Sequence, residues 1–217
     1  LFMNDRLVIR NVWISSWVLS LALFGDALLY VILPVHADAF GVSMLMVGFL
    51  LAVNRIIRTF AYGLIADLAE LIGLKNMCLI AALSATLSTA GYGILEGNIL
   101  LTLSRMIWGL SFAALLLVTL SYAAANPSKT GTRIGLSRSI EQVGPLLAMT
   151  VGAWLAAIAG PRDVFLYLAL ATAVSIFLAF GLNDSGQPRQ VKRLMARENF
   201  FPKPDSIDLL IFWMGAG

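Results

Sequence analysis

Six stretches of the chain are apolar on every side of a helix: Asn11–Pro34, Val42–Leu64, Asn76–Leu95, Ile99–Ala123, Ile134–Ala159 and Val164–Leu182. At about 1.5 Å per residue, each is long enough to cross a hydrocarbon layer roughly 30 Å thick. Membrane barrel strands would alternate apolar and polar positions, which these stretches do not. Short polar breaks part them, at Pro34–Gly41, Asp67–Lys75, Glu96–Asn98, Asn126–Arg133 and Gly160–Asp163. Only Asn183–Ser206 is long and polar, and its Gly186, Pro188, Pro202 and Pro204 mark a linker. The pattern predicts an all-α membrane fold with six transmembrane helices bundled over residues 1–182. A cytoplasmic linker over 183–206 and the start of a seventh helix over 207–217 follow. The chain opens at Leu1 and stops inside that last apolar run, so it reads as a fragment whose C-terminal bundle is truncated. The first stretch is too long for a signal peptide, and no small-residue cleavage site follows it.

The placement of charge tests this division. With the N-terminus in the cytoplasm, the inner loops hold Arg6, Arg10, Lys75, Lys129, Arg133, Arg138, Arg189, Lys192, Arg193, Arg197 and Lys203, whereas the outer loops hold Arg162 alone. Such an excess on one side is the positive-inside pattern of a multi-pass protein of the cell membrane. Trp13 and Trp17 near the inner edge, and Trp154 near the outer one, suit the interfacial belts. Composition agrees: 59% of residues are hydrophobic, only 12% are charged, and mean hydropathy is +0.87. Soluble domains carry about 25% charged residues, so an ordinary soluble enzyme and a disordered chain are excluded. The single cysteine, Cys78, cannot form an internal bridge, and the single histidine, His36, cannot build a His-rich metal site. A net charge of +3 is too small to suggest nucleic-acid binding, and no metal or organic cofactor is expected.

Several polar residues stand where lipid would penalise them. Asn54, Arg55 and Arg58 lie mid-way along the second stretch; the two arginines, three apart, are expected to share a helix face. An arginine near a span centre costs about 2.5–3.5 kcal/mol on insertion scales, and persists where it meets a hydrated cavity or a counter-ion. Asp26 interrupts the first stretch about 12 Å from its outer edge, and Arg105 lies about 9 Å from the same edge in the fourth. The two are expected to face one cavity, with Asp26 taking up a proton as Arg105 moves away, because a carboxylate's protonation follows its charged neighbours and its burial. A static pair that fixes packing is the alternative. Glu141 and Gln142 lie just inside the inner end of the fifth stretch, where Glu141 could meet Arg58 as an inner gate, pair with Arg138 or reach the headgroups. Small residues spaced by four (Gly48 and Ala52, Gly109 and Ala113, Gly144, Ala148 and Gly152) suit close helix approach. Pro145 removes a backbone hydrogen bond and lets its helix bend. Gly91-Tyr-Gly93 lacks the third glycine and preceding strand of a dinucleotide site, and no hydrolase or P-loop string occurs.

Over its whole length the chain resembles the major facilitator superfamily. That family's loop between helices 2 and 3 usually reads G-x-x-x-D-[RK]-x-G-[RK]-[RK]; here Gly63 and Asp67 match, Leu68 replaces the basic residue, and the later glycine is displaced to Gly73. The helix 4 pattern R-x-x-x-G-x-x-x-A is present as Arg105, Gly109 and Ala113. The helix 5 pattern of drug/proton antiporters is matched in part by Gly144-Pro145, with Leu147-Ala148 in place of its paired glycines. Asp26 followed by Pro34 is similar to the helix 1 pattern of that branch.

The resemblance implies a secondary active transporter that works by alternating access between two bundles. Asp26, Arg105 and Glu141 are its candidate proton-coupling residues, and Asn54, Arg55 and Arg58 its candidate cavity residues. Gly63, Asp67, Gly109, Gly144 and Pro145 are the candidate gating positions. Its expected partners are lipid, a small-molecule substrate, protons and the C-terminal half of the same chain. Proton-coupled efflux is the leading expectation. The surplus of intramembrane arginine raises the alternative of uptake or exchange of an anionic metabolite, and a non-transporting sensor or scaffold on the same fold is a third reading. An intramembrane enzyme would need paired Asp, Ser-His or clustered His residues, which the sequence lacks.

Overall fold

The computed structural model describes residues 5–125 and 129–183. Six helices make up this part: α1 (Asp5–Val35), α2 (Met44–Ile72), α3 (Leu74–Ile94), α4 (Asn98–Ala123), α5 (Thr130–Ala159) and α6 (Val164–Phe180). A single 3₁₀ turn, Ala37–Phe40, follows α1. Helices α1 to α5 are each long and apolar enough to span a membrane. The sixth apolar helix has 17 residues, about 26 Å of rise. The linker from Asp184 onward and the seventh apolar run lie outside the described residues.

The helices overrun the apolar stretches at several ends. A polar break was expected from Asp67 to Lys75; instead α2 continues to Ile72, and Gly73 alone joins it to α3. The segment Leu68-Ala-Glu-Leu-Ile72 is made of helix-compatible residues, and Gly73 is the first that can take the positive φ of 86° the reversal needs. Gly63 and Asp67 therefore sit on the exposed side of a helix rather than in a loop. Arg133, expected in a loop, lies in the first turns of α5 and is buried, donating to Asp5 at 3.0 Å while Lys129 reaches the other carboxylate oxygen at 3.1 Å. Asp5 thus ties the start of α1 to the start of α5.

Two further contacts fix the helix ends. The carboxamide of Asn11 donates to the Asn183 carbonyl (3.3 Å) and accepts from the Asn183 amide (3.4 Å), and the Tyr122 hydroxyl donates to that same carbonyl at 2.9 Å. At the opposite end Arg162 donates to the Gly93 and Ile94 carbonyls, which end α3, and pairs with Glu96. Carbonyls that the helix itself leaves open are satisfied in this way.

Helix α3 packs against α4 and α6, α2 against α4, and α1 against α4, α5 and α6. The apolar interior has two parts. One holds Val12, Leu19, Cys78, Trp108 and Tyr122; the other holds Leu28, Leu33, Phe40, Tyr92 and Phe165. Along every inner helix the two are separated by buried polar residues: Asp26 on α1, Asn54 on α2, Ser88 and Thr89 on α3, Ser104 and Arg105 on α4, Thr172 and Ser175 on α6. Helices α2 and α5 stand apart. Only 28% and 17% of their apolar windows are buried, against 61%, 56% and 67% for α1, α3 and α4, so each offers a broad uncovered face.

Helix α5 changes hydrogen-bonding pattern within its length. Pro145 has no amide hydrogen to donate, and a π turn occupies Ala148–Gly152. The Gly144 amide donates to the Ser20 hydroxyl of α1 at 2.8 Å. An added Cβ at Gly144 would lie 1.8 Å from the Ser20 carbonyl oxygen, so only glycine allows this crossing. Gly144→Ala is therefore expected to lower stability by about 1–3 kcal/mol, the usual range for overpacking. Gly63→Ala, with nothing within 4 Å of the added carbon, is expected to leave it unchanged or slightly raised. Unfolding of both purified variants in detergent checks the contrast.

Candidate functional site

The seam between the two apolar cores holds ions from three helices and hydroxyl groups from a fourth, α3. Glycines let these helices close around it. A Cβ on Gly25 would sit 2.5 Å from Thr89 of α3, and one on Gly109 would sit 3.1 Å from the backbone and side-chain oxygens of Asn54. Helix α1 thereby lies tight on α3, and α4 tight on α2, with Asp26 and Arg105 each close to a crossing point.

Asp26 is the hub, 6% exposed. Its Oδ1 accepts a hydrogen bond from Nη1 of Arg105 and a longer one, 3.4 Å, from Nδ2 of Asn54. Its Oδ2 faces Nη2 of Arg58 at 3.7 Å. Asn54 thereby links Asp26 to Arg58 of its own helix, because its Oδ1 accepts from Nε of Arg58 at 2.9 Å. Arg105 is anchored further by its Nε, which donates to the Leu50 carbonyl (3.1 Å), and by the Tyr92 hydroxyl at 3.4 Å. The Ser88 hydroxyl lies 3.1 Å from that of Tyr92 and donates to the Ser104 carbonyl at 2.7 Å, extending the network across α3 and α4. Aromatic faces complete the shell: Phe112 lies 3.7 Å beneath the Arg58 guanidinium, and Tyr30 lies 5.2 Å from that of Arg105.

Such a cluster is energetically exposed to small changes. Buried ions persist only when paired and hydrogen-bonded, and removing one partner strands the other in a poorly solvating interior. Two guanidiniums here share one carboxylate, and Nη2 of Arg105 is buried with no hydrogen-bond partner among the described residues. The site has more donors than acceptors.

The structure thus brings Asp26, Arg105, Asn54 and Arg58 together. Arg55 is not with them. Three residues on a helix differ by about 60° of rotation, and this is enough to leave Arg55 exposed while Arg58 turns inward. Glu141 is buried elsewhere, accepting from Ser137 (3.2 Å) and from Arg138 (2.8 Å), so the gate contact with Arg58 is absent. Ser137 in turn meets Ser16 of α1 at 2.9 Å, a further polar contact between α1 and α5 beside those of Asp5 and Ser20. Gly109 borders Asn54 and Gly144 borders Ser20; Gly63 and Asp67 are exposed, further along α2 than Arg58. Among the described residues no group of three His, Cys, Asp or Glu could hold a metal ion.

Reading the sequence missed Tyr30, Tyr92, Phe112 and the Leu50 carbonyl. Tyr92 had a usable signal: a phenol flanked by Gly91 and Gly93 within an apolar helix needs a polar partner. Gly91 lies where a Cβ would come 2.6 Å from the Ser104 hydroxyl, so the dipeptide serves the α3–α4 crossing.

Comparison with protein families finds that the Major Facilitator Superfamily matches residues 15–214. No curated protein matches the chain. The chain belongs to the Major Facilitator Superfamily, a family of transporters. It is accordingly a multi-pass membrane transporter sequence, with lipid and a small-molecule substrate as its partners.

Asp26→Leu is expected to strand both guanidiniums and lower stability by about 3–5 kcal/mol. Adding Arg105→Met should recover more than half of that loss, because the more deeply buried of the two stranded charges is removed with it. Unfolding of the single and double variants in detergent measures the recovery, and its absence would show that the pair contributes little to folding.

Proposed function

We propose that this member of the superfamily is a proton-coupled secondary active transporter that moves a small solute by alternating access across the cell membrane. The N-terminus is cytoplasmic and α1 to α6 form the first of two bundles, the second being supplied by the C-terminal half of the chain. One observation carries the reading: a single buried carboxylate, Asp26, is shared by Arg105 and Arg58 at the joint between two apolar cores. A shared carboxylate can be traded between partners when the bundles rock, so that its charge is balanced by different groups in the two states. Asp26 and Arg105 form the coupling pair, Asn54 and Arg58 the cavity edge, and Arg55 an outlying charge on the same helix. The closely packed Gly109 and Gly144, with Pro145, supply the crossings about which α4 and α5 move. Glu141, with Ser137 and Arg138, belongs to the inner end of this movement.

The helix 4 pattern and the partial helix 5 pattern support efflux. The surplus of guanidinium over carboxylate supports uptake or exchange of an anionic metabolite, and the unpartnered Nη2 of Arg105 favours this second reading. Proteoliposomes carrying the intact protein test the coupling. Asp26→Asn should abolish solute accumulation driven by an imposed pH gradient, to the background of protein-free vesicles, while solute-for-solute exchange continues. Undiminished gradient-driven accumulation in that variant would remove Asp26 from the coupling step. Absence of any flux in the wild type would favour a sensor or scaffold.

A further inference from the structure

We infer that Arg58 is the docking group for an anionic solute, and that docking releases Asp26 to bind a proton, so that anion and proton are carried in the same direction. The inference rests on the transporter reading above and extends it to the solute's charge and to the sign of coupling.

The two arginines are held very differently. Arg105 is 1% exposed and fixed by the Leu50 carbonyl, the Tyr92 hydroxyl and Asp26 Oδ1. Arg58 is more accessible, with 15% of its side chain exposed, and its Nη2 stands 3.7 Å from Asp26 Oδ2, beyond hydrogen-bond length. Its stem and plane are nonetheless set, by Asn54 at Nε and by the Phe112 ring beneath. This leaves a guanidinium oriented in advance, with its Nη edge only loosely engaged. A carboxylate or phosphate oxygen pair fits that edge in the two-pronged manner arginine favours. The buried Nη2 of Arg105 is a second donor awaiting an acceptor. Arg55, exposed one turn away on the same helix, adds to the positive field along the approach.

Charge bookkeeping then gives the sign. With Asp26 ionised, the empty cluster of one carboxylate and two guanidiniums carries +1. A docked monoanion brings it to zero and draws Arg58 from Asp26 Oδ2. A proton from water on the open side then forms an O–H bond at Oδ2, returning the loaded cluster to +1, and leaves to water on the far side when the anion departs. Empty and loaded forms thus carry the same charge through the occluded state, so neither pays an extra desolvation penalty. The charged or titratable groups facing this centre are Tyr30 on α1, Arg58 on α2, Tyr92 on α3 and Arg105 on α4. Tyr62 faces Arg58 from one turn further along α2. Helix α6 has no Asp, Glu, Lys or Arg, and the Arg138–Glu141 pair of α5 lies beside Ser137, level with Ser16.

The test uses the intact transporter in proteoliposomes, with pyruvate, succinate, inorganic phosphate and the cation ethidium as probes, and an internal pH dye to follow protons. At least one anion should enter with acidification of the lumen. Arg58→Gln should raise its half-saturating concentration about tenfold or more, the scale of one lost charge-assisted contact. Arg58→Lys, which keeps the charge but not the two-pronged edge, should raise it as well. Asp26→Asn should still exchange the anion, without moving protons. Unchanged half-saturation in both Arg58 variants, or anion entry with alkalinisation, overturns the inference. Ethidium flux alone overturns it while leaving the transporter reading intact; no flux of any probe removes both.

Discussion

A carboxylate held between two guanidiniums, deep within a helical bundle, constrains most of what surrounds it. Asp26 cannot be buried without donors, and Arg105 and Arg58 cannot be buried without an acceptor. The seam they occupy interrupts what would otherwise be one continuous apolar interior, and each inner helix contributes hydroxyl or amide groups to it. The glycines at 25 and 109 follow from the same requirement, because the ions meet only if α1 lies tight on α3 and α4 tight on α2. Asn54 is the mediator. Its amide presents a donor to Asp26 and an acceptor to Arg58, which no apolar residue could do.

The rest of the fold divides into parts that are tied and parts that are open. The helix ends are fastened by Asp5 with Arg133 and Lys129, by Asn11 with Asn183, and by Arg162 with the end of α3. Helices α2 and α5, by contrast, leave most of their apolar surface uncovered. These are also the helices that bear the loosely held Arg58 and the π turn after Pro145. A transporter needs both properties: a bundle that moves as a unit, and a face on which a second bundle and a solute can act. The exposed apolar faces and the partly released guanidinium lie together on α2, where changes in helix contact would reach the ion cluster directly.

Much of the architecture was legible from hydrophobic pattern alone. Stretches too long and too uniformly apolar for a soluble domain can only be helices in lipid, because backbone groups there must bond within their own segment. Family membership was legible too, through Arg105, Gly109 and Ala113 on helix 4. The prominence of Asp26 and Arg105 followed from the cost of charge in lipid, which demands a partner at similar depth. Helix ends were less legible. The end of α2 was placed too early because Asp67 and Glu70 resemble a polar break, whereas a helix ends where its backbone must reverse, and that is Gly73.

What spacing could not decide was direction around each helix. Arg55 and Arg58 look equivalent along the chain, yet a rotation of about 60° sends one to the surface and the other to Asp26. Glu141 had two cationic partners within reach by depth, and the turn of α5 gave it Arg138. Tyr92, Phe112 and the Leu50 carbonyl carry no signature of their own; they matter because helices distant in sequence cross there. The order of apolar and polar residues determines how many helices form, what solvent they face and which ions must be neutralised. Only the packed bundle decides which ions neutralise one another, since pairing depends on crossing points and rotation that no single helix contains.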